Sequence, residues 1–140
     1  MKSITLFAAL SLAATITAQT YTLTDFGTQC GGDLQGQIVT APAGVGLRLL
    51  VTGAAPRALA VLVIGGPQPA PVQLPGSTCL LLVERRHVLW DATTLTGSVR
   101  FAFRLPSVVP ITFDCQAVIL DRTPTGFVAT STDCVRVTGV

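Results

Sequence analysis

The sequence predicts an all-β fold, a two-sheet antiparallel β-sandwich of about eight short strands preceded by a signal peptide. Three observations predict it. Short apolar or alternating runs recur between clusters of Gly, Pro, Thr and Asp, helical periodicity is nowhere sustained, and four widely spaced cysteines suit a stapled exported domain. At 140 residues, 49% hydrophobic and 11% charged, the chain is one domain and too apolar for intrinsic disorder. A formal net charge of +2 offers no electrostatic footprint for phosphate backbones, so nucleic acid is not expected as a partner.

The first segment reads as an address. Met1, Lys2 and Ser3 make a short positive start, an apolar run follows over 4–14, and Ala18 supplies a small residue for cleavage. This is the pattern of a secretory signal peptide over 1–18. The apolar run is too short to span a bilayer as a helix, so no membrane span is expected after cleavage. The product is expected to be secreted or extracellular, with the cell surface as one destination. Losing the leader also removes Lys2, the only lysine, and leaves eight Arg against seven acids.

Residues 19–140 then form a single disulfide-bonded domain. Its clearest strand is 98–105, where Val99, Phe101, Phe103 and Leu105 share one face and Arg100, Ala102 and Arg104 the other. Further strands are expected at 21–24, 45–52, 58–64, 78–83, 88–90, 111–120 and 127–137, the last with a break near 131–133. Gly65-Gly66-Pro67-Gln68-Pro69-Ala70-Pro71 reads as a loop or an edge, because its prolines cannot donate to a ladder. Glu84-Arg85-Arg86-His87 reads as a solvent-exposed hairpin turn. Gly31-Gly32 lacks the helix and Lys of a phosphate-binding loop and reads as a tight turn.

In an oxidising compartment an even number of cysteines most often forms a disulfide framework. Cys30, Cys79, Cys115 and Cys134 are too far apart in sequence for a zinc motif, so neither metal nor cofactor is expected. A hairpin centred between Pro124 and Thr125 places Cys115 and Cys134 equidistant from its centre, and they are predicted to pair. Cys30 with Cys79 is then the second bridge, with the other two connectivities open. A bulge at Ser131-Thr132-Asp133 would shift the register and turn Cys134 to the opposite face.

Several stretches carry a resemblance. Gly76-Ser77-Thr78-Cys79-Leu80-Leu81-Leu82-Val83, Phe101-Ala102-Phe103-Arg104-Leu105-Pro106, Phe113-Asp114-Cys115-Gln116-Ala117-Val118-Ile119-Leu120-Asp121, Ala129-Thr130-Ser131 and Val135-Arg136-Val137 follow one another in an order that resembles uncharacterised secreted β-sandwich modules of planctomycete-type environmental bacteria. The likeness covers nearly all of residues 19–140. It implies an exported non-catalytic module and a recurring pair that matches Cys30 with Cys79. Cys115 and Cys134 are an addition to the usual pattern, and Ser131-Thr132-Asp133 replaces the usual Ser-Asn-Gly.

No catalytic residues are expected. His87 is the one imidazole, and Ser77, Ser98, Ser107 and Ser131 lack the Gly-x-Ser-x-Gly setting of an activated nucleophile. The carboxylates Asp25, Asp33, Glu84, Asp91, Asp114, Asp121 and Asp133 are scattered, without an Asp-x-Asp-x-Asp loop for calcium. The candidate ligand contacts are Trp90, which with Tyr21 would make an aromatic platform for sugar rings, and Arg85 with Arg86, which would grip an acidic polysaccharide. Against this, a lone Trp in a strand is more often core. Lacking Lys and Asn, the surface has weak charge repulsion and poorly protected strand edges. Tyr21-Thr22-Leu23-Thr24 and Val135-Arg136-Val137-Thr138 are candidate segments for strand addition between copies unless each pairs inside its own sandwich. The reading is a secreted non-catalytic module with a structural or assembly role at the cell surface or in extracellular matrix, not an enzyme. Its alternative is a glycan- or surface-binding adhesion module, and its expected partners are a second copy or an extracellular glycan.

Overall fold

The computed structural model describes residues 20–140, so the signal peptide expected over 1–18 lies outside the described residues. The described chain is all strand, in the order β1 (Tyr21–Phe26), β2 (Asp33–Ala41), β3 (Gly44–Thr52), β4 (Leu59–Gln73), β5 (Leu80–Ala92), β6 (Val99–Arg104), β7 (Ile111–Thr123) and β8 (Gly126–Gly139). Five strands form one antiparallel sheet in the order β1-β8-β7-β4-β5, and three form the other in the order β2-β3-β6. The expected sandwich of eight strands is therefore the architecture, though the strands are not the eight expected.

Two strands differ for identifiable reasons. β2 has no counterpart in the sequence reading because Gly36 replaces a side chain between Leu34 and Ile38, which blurs the alternation of its inward face. Conversely, Glu84 to His87 is no turn. It lies inside β5, and Gly65 to Pro71 lies inside β4, so the two form one long hairpin whose turn falls between Gln73 and Leu80. The β4 prolines occur where β4 has already left β7, since that pairing ends at Gly65↔Asp114. Away from a central ladder, their missing N–H groups cost little.

The main core lies between the sheets. Leu34, Leu47, Leu49, Val51 and Phe101 of the smaller sheet pack on Ala60, Leu62, Cys115, Ala117, Ile119, Val135 and Val137 of the larger. A second, smaller core lies on the outer face of the larger sheet, where Leu74, Cys79 and Val83 of the curled hairpin cover Val63, Val118, Ala129 and Cys134. The Cys30–Cys79 disulfide closes it, with a Cα–Cα distance of 5.6 Å. Cross-linking residues 49 apart in sequence removes loop entropy from the unfolded chain worth about 4 kcal/mol. The tip is fastened further by Ala129 N–H donating to the Pro75 carbonyl at 2.9 Å and Cys30 N–H to the Ser131 carbonyl at 3.0 Å.

The predicted Cys115–Cys134 bridge does not form; both are buried free thiols. The β7–β8 hairpin does turn at Pro124 and Thr125, with Thr123↔Gly126 and Val118↔Ser131 in register. Beyond that point the pairing becomes Gln116↔Cys134 and Cys115↔Val135, because Thr132 and Asp133 together oppose Ala117. This extra residue reverses the pleat of β8. Cys115 therefore points into the inter-sheet core and Cys134 into the outer one. The bulge is held by polar bonds that a regular ladder would not need. Ala117 N–H donates to Thr132 Oγ1 at 3.0 Å, Leu34 N–H to Asp133 Oδ1 at 2.8 Å, and Gln116 Nε2 to the Thr132 and Leu80 carbonyls at 3.0 and 2.9 Å. Gln116 Oε1 in turn accepts from Leu82 N–H at 2.8 Å, which anchors the start of β5.

The terminal segments expected to add strands between copies pair with each other, with Tyr21↔Gly139 and Leu23↔Val137 in register. β8 lies inside the sheet and offers no edge, whereas β1 and β5 are the two outer strands. Across β7 and β8, Arg136 makes a two-pronged ion pair with buried Asp114, at 2.8 and 3.0 Å, while its guanidinium lies 4.8 Å from the Phe26 ring centroid.

Burial pushes both free thiols up to about 12, with Asp114 adding to the effect at each, so neither is a thiolate at neutral pH. Thiol titration of the folded protein is expected to detect no reactive thiol, and two after unfolding without reductant. A second bridge would leave none in either state. Burial also raises the Asp133 carboxyl above the ordinary carboxylate range, partly offset by the Leu34 amide. The native state is then most favoured where Asp133 is protonated, and it loses that contribution as pH rises through the raised value. Asp133→Asn retains an acceptor for Leu34 and removes the charge. Its stability relative to the native chain, measured by urea unfolding, is expected to be greater at neutral pH than in acid; a difference independent of pH would contradict this.

Candidate functional site

β5 brings the sequence-predicted contact residues together. As the outer strand of the larger sheet it has β4 on one side and a free edge on the other. From Glu84 to Ala92 every residue of it is exposed. Its register to β4 assigns the faces. Trp90 pairs with Val61 and Val88 with Val63, whose side chains belong to the outer core, so Trp90 and Val88 lie on the outer face. His87 pairs with Ile64 and Leu89 with Leu62, which belong to the inter-sheet side.

Between these sets lies a second bulge. The register steps from Ile64↔His87 to Gly65↔Arg85, leaving Arg86 as the extra residue. A bulge of this kind aims two successive side chains to the same side, and both Arg86 and His87 line a groove there. Gly65 makes the close approach feasible, since a Cβ at that position would sit 1.8 Å from the Glu84 carbonyl oxygen. Gly66 leaves space that the Arg86 guanidinium crosses, with Nη2 3.4 Å from where a Cβ would be. Arg85 stays on the outer face, so the two adjacent arginines face opposite sides.

The groove has a volume of about 410 Å³. It exists because the sheets are unequal. The three-stranded sheet ends at β6, and beyond that strand the inner face of β5, with Ile64 at its border on β4, is left uncovered. Ile64, Phe103, Ile111 and Phe113 line its floor, with the two phenylalanine rings 6.3 Å apart and tilted by 45°. Phe103 and Arg104 were legible as the two faces of a strand, but nothing in the sequence places Phe103 opposite Arg86.

Trp90 is 73% exposed, so the expectation that a lone strand Trp is core is overturned. Its partner in the proposed sugar platform is absent: Tyr21 sits on β1, at the far edge of the same sheet, where its hydroxyl donates to the Pro106 carbonyl. Among the described residues no hydrogen bond joins His87 to a serine or a carboxylate. Ser77 Oγ donates to the Ala129 carbonyl, Ser131 Oγ donates to that of Leu80 at 3.0 Å, and Ser98 Oγ lies 2.9 Å from Thr94 Oγ1. Nor do three His, Cys, Asp or Glu side chains gather as a metal site among the described residues. Gly31 lies against β8 so closely that a Cβ would come within 2.4 Å of Thr130, which makes it a crossing point beside the disulfide.

Compared with protein-family models, with curated proteins and with solved structures, the chain matches none. Its surfaces therefore carry the functional reading.

Proposed function

We propose that the chain is an exported, non-catalytic module that assembles with copies of itself through the free edge of β5, in a structural role at the cell surface or in extracellular matrix. The observation that carries this reading is Trp90, exposed on an outer strand beside Val88, with Leu59 of β4 exposed on the same face. An indole left in water on a free strand edge is unusual for a monomer, and edges are ordinarily blunted by Lys or Pro. β5 has neither, and its bulge falls at Arg86, before the stretch that carries Trp90. A second copy paired antiparallel about Trp90 would extend the backbone ladder clear of the bulge and set the two indoles side by side, a self-complementary contact of the kind two-fold dimers use. The resemblance to secreted planctomycete-type modules implies the exported, non-catalytic part of this reading alone.

A second reading rests on a different surface. Arg48 and Arg100 lie exposed on the outer face of the three-stranded sheet with Gln35 and Gln37, around a groove of about 230 Å³ without an acidic residue. A basic, amide-lined sheet face suits an acidic glycan, and it displaces Arg85 and Arg86 as the favoured grip for one.

Light scattering on the exported protein over a range of concentrations is expected to find dimers or larger species, reverting to monomer in Trp90→Ala and in Val88→Lys. A strictly monomeric native chain at high concentration overturns the assembly role. On an array of acidic and neutral glycans, the second reading expects salt-sensitive binding to acidic chains that Arg48→Ala with Arg100→Ala abolishes; a blank array dismisses it.

A further inference from the structure

We infer that the groove between β5, β6 and β7 binds a small amphiphilic carboxylate, its apolar body on Phe103 and Phe113 and its head held by Arg86 beside His87. This site is separate from the assembly surface, since it opens on the inner face of β5 whereas Trp90 and Val88 lie on the outer face.

Three observations carry the inference. The first is the character of the floor. Ile64, Phe103, Ile111 and Phe113 leave apolar and aromatic surface open to water in a concavity of about 410 Å³, within the range that holds one small ligand. The second is the charge of the rim. Arg86 and His87 line the groove, and no Asp or Glu does, while the Arg104 side chain leaves on the outer face of β6, its Cδ 4.0 Å from where a Cβ of Gly44 would be. The Arg86 guanidinium makes no ion pair with any described residue, although Arg136 shows that this fold pairs an arginine where it needs one. The third is that the arrangement is built rather than incidental. It takes a bulge at Arg86 and a glycine at 65 to set Arg86 and His87 on the same side of a strand, where a regular strand would send them to opposite sides.

Complementarity selects the occupant. A neutral apolar molecule would leave the Arg86 guanidinium without a partner, and a cation would be repelled by it. A bare anion such as acetate would leave the aromatic floor in water. A carboxylate on an apolar body answers both needs, because guanidinium and carboxylate are planar and match in two-pronged hydrogen bonds. The His87 ring adds a further donor at the rim.

The test is calorimetric titration of the full exported chain with decanoate below its micelle concentration, alongside decanol, decyltrimethylammonium and acetate. Decanoate is expected to bind at one site per chain, with the other three at least about tenfold weaker. Arg86→Gln, at an exposed position, is expected to weaken decanoate about tenfold with unchanged thermal unfolding, whereas Arg104→Gln, on the outer face of β6, is expected to bind like the native chain. Trp90→Ala is expected to bind decanoate like the native chain whether or not it has lost assembly, which separates this inference from the assembly role. Absence of decanoate binding, equal affinity for decanol, indifference to Arg86→Gln, or loss of binding in Trp90→Ala would each overturn it.

Discussion

The bulge at Thr132 and Asp133 is the constraint on which the rest of this structure depends. A strand alternates its side chains without exception until an extra residue is inserted, and here the insertion comes midway along an inner strand. Before it, Ala129 and Ser131 point outward; after it, Val135 and Val137 point into the sandwich. One strand thereby serves two cores. Without the bulge, Cys134 would face Cys115 across the hairpin, and Val135 and Val137 would be turned away from the inter-sheet core.

The polar groups around the bulge explain how a buried irregularity is tolerated. Each amide released from the ladder needs a partner, and Thr132, Asp133 and Gln116 supply them. Among the described residues no buried side-chain nitrogen or oxygen lacks a hydrogen bond. The same network reaches the carbonyl of Leu80 and the amide of Leu82, so it also fixes where β5 begins. Together with the Cys30–Cys79 bridge it holds the curled hairpin over the outer face, which commits the near half of β5 to the second core and leaves the far half bare.

That bare half carries both candidate surfaces. It is exposed on both faces because the hairpin tip covers the outer face only as far as Val83 and the three-stranded sheet covers the inner face only as far as β6. A five-over-three sandwich necessarily leaves inner-face surface uncovered at a margin, and here that margin combines an aromatic floor with the unpaired Arg86. The outer face of the same strand presents an indole instead. Two unlike surfaces on one strand follow from its pleat together with its own bulge at Arg86.

Much of this was legible in the sequence, and the reason is local. The alternation from Val99 to Leu105 identifies a half-buried strand by itself, the Pro124-Thr125 hairpin follows from turn chemistry, and the scarcity of helical periodicity makes the domain all-β. The strand containing Gly36 was hidden because a missing side chain erases the pattern that identifies a strand. The cysteine pairing, the length of the β4–β5 hairpin and the groove were decided only by tertiary structure. The cysteine pairing and the placement of Arg86 in the groove each hang on a bulge, and a single-residue insertion alters no composition and little local propensity while it inverts every side chain beyond it. Whether Trp90 is core or surface likewise depends on how far a neighbouring layer extends, which no run of residues around it records.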